Sequence, residues 1–418
     1  MENLVNGHRR IDKRRQSSRS SCGLHRQALS AAFAGALWLV FSIVVSGPAN
    51  AQKYSVLHSF AGGDDGSYPV AGLALDAKGN LYGTTSQGGA HNYGTVFELE
   101  SAGIETVLYS FTDTAGDGAY PYASLLRDAK GTLYGTTIYG GLHNFGVVFQ
   151  IDAAGNKTVL YSFTGGGDGA YPCAGLVRDT KGNLYGTTFE GGAFGYGTVF
   201  EVSPTGKETV LHNFPGTGVD GANPYAAVVR DAAGNLYGTA YEGGLDSCSG
   251  GYTVGCGVVF KLETTGAETL LHTFTGTEGD GANPSGGVVR DTAGNLFGTT
   301  RYSAGGGVVF RISETGQETV LYGFTGGVDG DEPWNENLVL DADGNLYGTT
   351  AYGGTYGYGT VFEVNATGIF SVLYSFAGNG GDGNTPMAGL VRDTKGNLYG
   401  TTAYGGVHGY GTVFKLAP

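Results

Sequence analysis

Short apolar runs separated by turn residues recur along the chain from residue 54 to its end. In the stretch after Pro121, runs at 123–127 and 133–138 flank a tight turn, and a glycine-rich loop leads to further runs at 147–151 and 158–163. Runs of this length and composition, bounded by turn residues, predict β-strands. Helical periodicity is absent after residue 51, so each unit is predicted to be a four-stranded antiparallel sheet.

The unit repeats with a period of about 52 residues. Its second run, Leu-Tyr-Gly-Thr-Thr or a close variant, occurs seven times, at Leu81, Leu133, Leu184, Leu236, Leu296, Leu346 and Leu398. Such a period is typical of solenoids and propellers. The last unit has only three runs, while an extra copy of the fourth run stands alone at Tyr54–Phe60. We therefore predict an all-β, seven-bladed β-propeller of four-stranded antiparallel blades, closed by the N-terminal strand pairing into the last blade.

Residues 1–51 have a different composition. Seven Lys and Arg residues precede an apolar run at 28–47, and Ala49-Asn50-Ala51 supplies small residues before Gln52. This order is typical of an export signal peptide, so we predict a signal at 1–51 and a single propeller domain at 52–418, in the periplasm or outside the cell. The apolar run is also long enough to span a bilayer, and an uncleaved anchor is the alternative.

Charge limits the partners of the exported chain. Without residues 1–51, 16 basic and 35 acidic residues remain, a net charge of −19. Such a surface repels nucleic acid and anionic lipid, so neither nucleic acid nor membrane is an expected partner after signal cleavage. A protein, peptide or glycan ligand is expected instead.

An Asp-Gly-x-x-Pro motif precedes the first strand of every blade. Its aspartates could form a calcium-binding ring, but we favour the interpretation that each carboxylate fixes a turn, and we predict no cofactor. The aspartates are Asp65, Asp117, Asp168, Asp220, Asp280, Asp329 and Asp382.

Arginines precede a second set of repeated aspartates, in the Asp-x-x-Gly-Asn turns on the opposite face. They could bind an anionic ligand near the axis, but pairing with aspartates of adjacent blades is the favoured interpretation. These residues are Arg127, Arg178, Arg230, Arg290 and Arg392.

The histidines and cysteines are given structural roles. His91, His143 and His408 lie at loop tips on different blades, so a shared zinc ion is not expected, and His58, His212 and His272 alternate with Tyr in the outer strand as packing residues. Cys248 and Cys256 bracket a loop found only in blade 4, and we predict a disulfide between them. Cys173 is expected to be a buried apolar residue.

A ligand site is expected where the symmetry breaks. Blade 6 has an extra residue, a cluster of polar groups in its inner segment, and Trp334, which is the only Trp after residue 51. Blade 5 beside it has the shortest glycine-rich loop, which would leave a notch on the axial face. The predicted ligand-binding residues are Asp331, Glu332, Trp334, Asn335 and Glu336.

The combination Asp-x-x-Gly-Asn-Leu-Tyr-Gly-Thr-Thr, Gly-Gly, Gly-Thr-Val-Phe and Thr-Val-Leu-Tyr-Ser-Phe resembles the GloVer tandem repeat of exported bacterial proteins. The resemblance covers residues 54–418 and implies a surface or exported propeller of undefined activity. Such proteins often carry a C-terminal anchor, whereas this chain ends at Pro418 directly after a strand, so release to the periplasm or medium is expected. The Gly-Gly pair also resembles kelch repeats, although a Trp in each blade is missing.

Two functions are considered. The first is a non-catalytic binding or scaffold module that takes a glycan, peptide or protein ligand at the axial face. The second is a hydrolase or lyase of the propeller lactonase or glycosidase type, in which Asp331, Glu332 and Glu336 act with or without a divalent cation. No nucleophile–base pair or metal-ligand spacing stands out in the sequence, so we favour the first and assign no catalytic residue.

Overall fold

The structure is a computed structural model that describes residues 52–418 except 115, 217–219, 246–247, 249–254, 278, 304 and 335–336. The described residues form seven four-stranded antiparallel sheets arranged as a β-propeller, as predicted. Among them, no helix has the length and hydrophobicity required to span a bilayer. The predicted export signal lies outside the described residues.

Each blade is built from a short inner strand, two strands of about five residues and an outer strand. The inner strands are Ala74–Leu75, Leu126–Arg127, Val177–Arg178, Val229–Arg230, Val289–Arg290, Val339–Leu340 and Val391–Arg392. The second strands are Leu81–Thr85, Leu133–Thr137, Leu184–Thr188, Leu236–Ala240, Leu296–Thr300, Leu346–Thr350 and Leu398–Thr402. The third strands are Thr95–Leu99, Val147–Ile151, Thr198–Val202, Val258–Leu262, Val308–Ile312, Thr360–Val364 and Thr412–Ala417. The outer strands are Glu105–Ser110, Lys157–Ser162, Glu208–Asn213, Glu268–Thr273, Glu318–Gly323, Phe370–Ser375 and, in blade 7, Lys53–Ser59.

The connections between strands also pair with one another. Residues of the Asp-Gly-x-x-Pro segment form short bridges with the end of the second strand, which places both connections on one face of the propeller. In three blades these bridges are two-residue strand pairs: Gly118–Ala119 with Tyr139–Gly140, Gly221–Ala222 with Glu242–Gly243, and Gly383–Asn384 with Tyr404–Gly405. We call this face the axial face.

The ends of the propeller are joined as the sequence predicts. Lys53–Ser59 pairs antiparallel with Thr412–Ala417, and Lys53 is the partner of Ala417. Each outer strand contains a β-bulge, so that one residue, Leu57 in blade 7, has no partner in the ladder. The bulge was not predicted, because the sequence pattern counts residues but does not show which of them leaves the ladder.

The repeated Leu-Tyr-Gly-Thr-Thr motif is explained by contacts within and between blades. In blade 3, Leu184 is buried in the core, and Gly186 lies under the ring of Phe200, where a Cβ would approach the ring to 2.7 Å. The first Thr forms a hydrogen bond to the next blade: the Thr187 hydroxyl donates to the carbonyl of Ala226 at 3.0 Å. The second Thr, Thr188, lies at the end of its strand, and its hydroxyl donates a hydrogen bond to the carbonyl of Glu190.

Phenylalanine pairs hold adjacent blades together. The Phe at the end of each outer strand packs edge-on against the third-strand Phe of the next blade, with ring centroids 5.1 to 5.3 Å apart. Phe60, which follows the N-terminal strand, makes this contact with Phe97 of blade 1 and is fully buried. Aromatic pairs of this kind stabilise by about 1 kcal/mol beyond the area they bury.

The arginines of the opposite face lie against the preceding blade. Each guanidinium sits over the Tyr ring of the preceding second strand, at 5.1 to 5.6 Å from its centroid. Two of them also approach an aspartate, Arg127 to Asp76 at 3.9 Å and Arg392 to Asp341 at 3.6 Å. The predicted pairing between blades is therefore confirmed for these two, and the contact shared by all five is with an aromatic ring.

The Asp-Gly-x-x-Pro aspartates lie where the outer strand of one blade meets the outer strand of the next, a place we call the outer seam. Their carboxylates accept hydrogen bonds from backbone N–H groups nearby, as Asp168 does from Thr164 at 2.8 Å. They also meet the Tyr or His near the end of the preceding outer strand, as Asp168 meets the hydroxyl of Tyr161 at 2.9 Å. The predicted turn-fixing role is confirmed.

The outer seam between blades 2 and 3 should make stability depend on pH. Burial, together with the Asp168 carboxylate, raises the pKa of Glu208 to about 7. A carboxyl whose pKa is raised by folding binds its proton more tightly in the folded state, so stability falls as pH rises from about 4.5 to about 7. We expect the effect of Glu208→Gln on the free energy of unfolding to be more stabilising at pH 8 than at pH 4. The expected difference is about 1 to 2 kcal/mol, because solvent screening reduces the effect of this partly exposed group.

Urea unfolding of the wild type and the Glu208→Gln variant at both pH values would measure this difference. Glu314→Gln is the matched control, because Glu314 is exposed in a turn on the opposite face. If the control and Glu208→Gln have the same pH dependence, the raised pKa of Glu208 is wrong.

Candidate functional site

Seven residues that directly follow the repeated prolines surround the propeller axis near the axial face. They line a cavity of about 50 Å³. Because each comes from a different blade and their types differ, the seven-fold repeat is broken here. These post-proline residues are Val70, Tyr122, Cys173, Tyr225, Ser285, Trp334 and Met387.

The residues that directly precede the prolines all adopt the left-handed conformation, with φ between 49° and 58°. This conformation costs about 1 kcal/mol or more for a residue with a side chain, so the surroundings must hold it. The hydrogen bonds do so: in blade 3, the N–H of Tyr171 donates to the carbonyl of Phe145 in blade 2, and its own carbonyl accepts from Phe189. The pre-proline residues are Tyr68, Tyr120, Tyr171, Asn223, Asn283, Glu332 and Thr385.

The pre-proline and post-proline residues together form what we call the axial cup. One side of the cup is aromatic: Tyr120, Tyr139 and Tyr171 pack edge to face in a row, with centroids 5.9 and 5.4 Å apart. A second edge-to-face pair is formed by Tyr68 and Tyr404, whose ring centroids are 5.2 Å apart. Aromatic rings with hydroxyl groups offer both an apolar face and a hydrogen-bonding tip.

The other side of the cup contains an ion pair. Arg301 of blade 5 donates from Nε and Nη2 to the same carboxylate oxygen of Glu332, at 3.0 and 2.8 Å. Its guanidinium lies 3.4 Å from the centroid of the Trp334 ring. The pKa of Tyr241 is raised by burial, an effect opposed by Arg301, with which it hydrogen-bonds.

This arrangement changes the predicted blade 6 site. Glu332 is neutralised by Arg301 rather than free, and Trp334 is half-buried under the guanidinium rather than an exposed aromatic. Burial raises the pKa of the Asp331 carboxyl, and the neighbouring Glu332 adds to the effect. Asn335 and Glu336 lie outside the described residues, and their predicted roles stay predictions.

Two buried polar atoms on this side of the cup have no hydrogen-bond partner among the residues that the structure describes. They are Oδ1 of Asn283 and Oγ of Ser285, in side chains that are 1% and 4% exposed. A buried polar group without a partner costs about 1 to 3 kcal/mol, so a water molecule or a ligand atom is needed here. Ser285 lines the same cavity as Trp334.

The cavity forms the floor of the cup, and two titratable residues that line it, Cys173 and Tyr225, are neutral near pH 7. Burial raises the pKa of Cys173 to about 12 and raises the pKa of Tyr225 further above its usual value. Cys173 is a free, buried cysteine, as predicted. A thiol with such a pKa carries too little thiolate to act as a nucleophile.

The remaining sequence candidates lie away from the cup. Cys248 and Cys256 form a disulfide with Cα atoms 5.3 Å apart. The loop-tip histidines His91, His143 and His408 are exposed. The outer-strand histidines do pack, since His212 lies edge-on to Phe214 at 4.7 Å, but their rings also meet carboxylates, which the sequence analysis missed.

Several residues of the cup were also missed from the sequence. Tyr122, Tyr225 and Ser285 occupy the position of Trp334 in other blades. The signal was present, because the position after the repeated proline is the most variable of its segment. Arg301 was not found because it lies in blade 5 and meets Glu332 only in the folded structure.

Several solved structures are similar to this chain. One is the extracellular domain of a protein described as a one-component system from B. thetaiotaomicron, with 14% identity and a TM-score of 0.54 over 88% of this chain. This chain covers 42% of that structure's length. A puromycin-hydrolysing peptidase of Mycobacterium tuberculosis has 12% identity and a TM-score of 0.49, with 83% of this chain and 52% of that chain covered. A protein described as a 6-phosphogluconolactonase from Bacteroides uniformis has 15% identity and a TM-score of 0.47, with 77% and 88% covered.

At these identities the likeness extends to the fold alone. Among curated proteins, none matches the chain significantly. The sequence model described as Gloeobacter/Verrucomicrobia repeat matches residues 39–252 and 246–418, which together include all seven blades. The seven repeats, the propeller that they build and this match agree, and the chain belongs to the Gloeobacter/Verrucomicrobia repeat family.

Proposed function

We propose that the protein is an exported, non-catalytic propeller that binds neutral sugar units of a glycan at the mouth of the axial cup, because the cavity of about 50 Å³ beneath it is too small to enclose a sugar ring. The observation that carries the proposal is the buried Oγ of Ser285, which has no hydrogen-bond partner among the described residues and lines the same cavity as Trp334; Oδ1 of Asn283 is buried in the same state. A sugar offers hydroxyl groups for such atoms and apolar ring faces for aromatic side chains. Sites of this kind combine an apolar lining with a few placed polar groups.

Charge supports a neutral ligand. The only ion pair described in the cup, Arg301 with Glu332, is internally neutralised, and the tyrosines and Cys173 of the floor are uncharged near pH 7. The remainder of the exported chain is strongly acidic, which disfavours anionic ligands. Export is supported by the pattern of residues 1–51 and by the Cys248–Cys256 disulfide, since disulfides persist in oxidising compartments.

Binding rather than catalysis is supported by the state of the carboxylates. A glycosidase needs one carboxyl as acid and another as base or nucleophile, both free to face the substrate. Glu332 is held by two hydrogen bonds from Arg301. Its carboxylate would have to give up that ion pair to take part in chemistry.

A glycan array screened with the purified protein tests the proposal, followed by calorimetry with the best ligand. We expect Trp334→Ala to weaken binding by about tenfold or more, because Trp334 lines the cavity and its ring supports the Arg301 guanidinium. Ser285→Ala should weaken binding about three- to tenfold, the value of one hydrogen bond, and leave the melting temperature equal or higher, because it removes an unpartnered polar atom.

Ile369→Ala is the control. Ile369 is 62% exposed in a turn on the face opposite the cup, so its truncation should leave binding unchanged. An array without any bound glycan would contradict the sugar proposal. Release of new reducing ends or ring-opened product from a bound glycan would contradict the non-catalytic role and favour the hydrolase or lyase alternative.

A further inference from the structure

Two outer seams each bring one histidine and two carboxylates into a cluster. Between blades 3 and 4 the cluster is His212, Asp220 and Glu268, and between blades 4 and 5 it is His272, Asp280 and Glu318. In each cluster one donor atom per residue lies within 4.8 Å of the other two. Within the part of the chain that the structure describes, only these two groups meet that condition, and His58 with Asp65 and Glu105 does not.

Three of the donor-atom distances are close to those around a tetrahedral metal ion, and the other three are within 4.8 Å. His212 Nε2 lies 3.5 Å from Asp220 Oδ2 and 3.7 Å from Glu268 Oε2. His272 Nε2 lies 3.2 Å from Asp280 Oδ1. Bonds of about 2.0 to 2.2 Å at tetrahedral angles place ligand atoms roughly 3.3 to 3.6 Å apart. His212 and His272 are therefore already placed for an ion shared with their aspartates, and any donor atoms that are farther apart would move closer on binding.

Several atoms of the two clusters are buried without a partner. Among the described residues, Nε2 of His212, Oε1 of Glu268 and Oε1 of Glu318 have no hydrogen-bond partner, a state that they share with Nε2 of His58 and Oε1 of Glu105 and Glu208 in two other seams. The His212 and Glu268 side chains are only 16% and 15% exposed. Two carboxylates placed together in such surroundings repel each other unless one of them is protonated or a positive charge lies between them.

In three other seams, a lysine or an aromatic residue stands where these clusters have their second carboxylate. In the seam between blades 1 and 2, Lys157 forms an ion pair with Asp117. In two further seams the position of Glu268 holds an aromatic residue: Phe370 stacks on Tyr322 at 3.7 Å, and Tyr54 stacks on Tyr374 at 4.0 Å. The clusters of His212 and His272 contain neither a Lys nor a stacked ring.

We propose that a Zn²⁺ ion binds in each of the two clusters, with the histidine Nε2 and one oxygen from each carboxylate as ligands and water in the fourth position. An imidazole nitrogen in a set of three protein ligands favours zinc, whereas calcium takes six to eight oxygen ligands. Each ion links the outer strands of two adjacent blades, so blades 3, 4 and 5 are clamped at the rim. The edge-on contacts of His212 with Phe214 and of His272 with Phe274, both at 4.7 Å, orient the rings.

The repeat supplies matched variants for the test. Four seams carry Tyr where these two carry His, and one of them, Tyr161 with Asp168 and Glu208, is otherwise identical to the clusters. His212→Tyr and His272→Tyr therefore introduce a residue that the fold already accepts at this position.

The experiment is zinc titration by calorimetry, with bound metal counted by mass spectrometry, on protein prepared without a histidine tag and stripped with a chelator. We expect about two ions per wild-type chain, about one in each single variant and none in the double variant. Zinc should raise the melting temperature of the wild type and leave that of the double variant unchanged. Melting in chelator checks that the variants remain folded.

Zinc binding by the double variant equal to that of the wild type would overturn the proposal, as would a wild type that binds none. Heat and stoichiometry reproduced by Ca²⁺ would overturn the assignment to zinc. Neither result depends on the axial cup, which lies near the axis and not at the rim.

Discussion

Removal of Lys53–Phe60 should prevent the protein from folding to a stable state. The deletion exposes the edge of Thr412–Ala417, which loses its antiparallel partner along its whole length. It also removes Phe60, which is fully buried against Phe97 and joins the last blade to the first. Truncation of one buried Phe alone costs about 3 to 5 kcal/mol, so loss of the strand as well should exceed the stability of a typical domain.

A rearranged chain distinguishes loss of the strand from damage to the remainder. Because Lys53 pairs with Ala417, a short glycine linker can join Pro418 to Gln52, so that residues 52–60 follow the third strand of blade 7 as a hairpin. This permuted chain, beginning at Ala61, should melt cooperatively near the wild-type temperature. A truncated protein that melts like the wild type would show that closure by the N-terminal strand contributes little.

Gly186→Ala should destabilise the protein by about 2 to 3 kcal/mol, although it adds a single methyl group. The added Cβ would approach Cζ of Phe200 to 2.7 Å and Cδ2 of Leu176 to 2.9 Å. Both neighbours belong to the packed core between blades 2 and 3, so relief requires a shift of buried rings. Equilibrium urea unfolding at pH 7 measures the change.

Two further variants test whether the cause is steric. Gly167→Ala is the control, because a Cβ at Gly167 meets no atom within 4 Å, and its effect should stay within about 0.5 kcal/mol of zero. Phe200→Leu should compensate in part, so that the double variant loses less stability than the sum of the single variants. Strict additivity would indicate that Gly186 is required for another reason, such as its backbone conformation.

The repeat predicts most of the fold because one unit specifies all seven. The third strand of blade 2 was placed at 147–151 and is observed at Val147–Ile151, but the inner strand predicted at 123–127 is reduced to Leu126–Arg127. The carbonyl of Ala123 accepts from the hydroxyl of Thr84 in the preceding blade at 3.4 Å, and not from a strand ladder. Apolar composition predicts burial there and cannot predict that partner.

The candidate sites were harder to predict because they are assembled from residues distant in the sequence. Asymmetry is the reason for choosing the region of Trp334, since a residue found in one blade is not needed by all seven, and the binding role predicted for it stays a prediction. Its partner Arg301 comes from a neighbouring blade, and a cluster such as His212, Asp220 and Glu268 joins residues of two blades. A period of about 52 residues aligns equivalent positions but does not reveal which of them touch across a boundary.

The left-handed backbone before each proline has a consequence for how such proteins diversify. Each of these residues is fastened through its own amide and carbonyl groups, so the conformation does not depend on the side chain; Tyr171, Asn223 and Glu332 all adopt it. Mutation can therefore exchange the chemistry displayed around the axis while the architecture beneath stays intact. A library randomised at the pre-proline and post-proline positions would be a suitable starting point for engineered receptors.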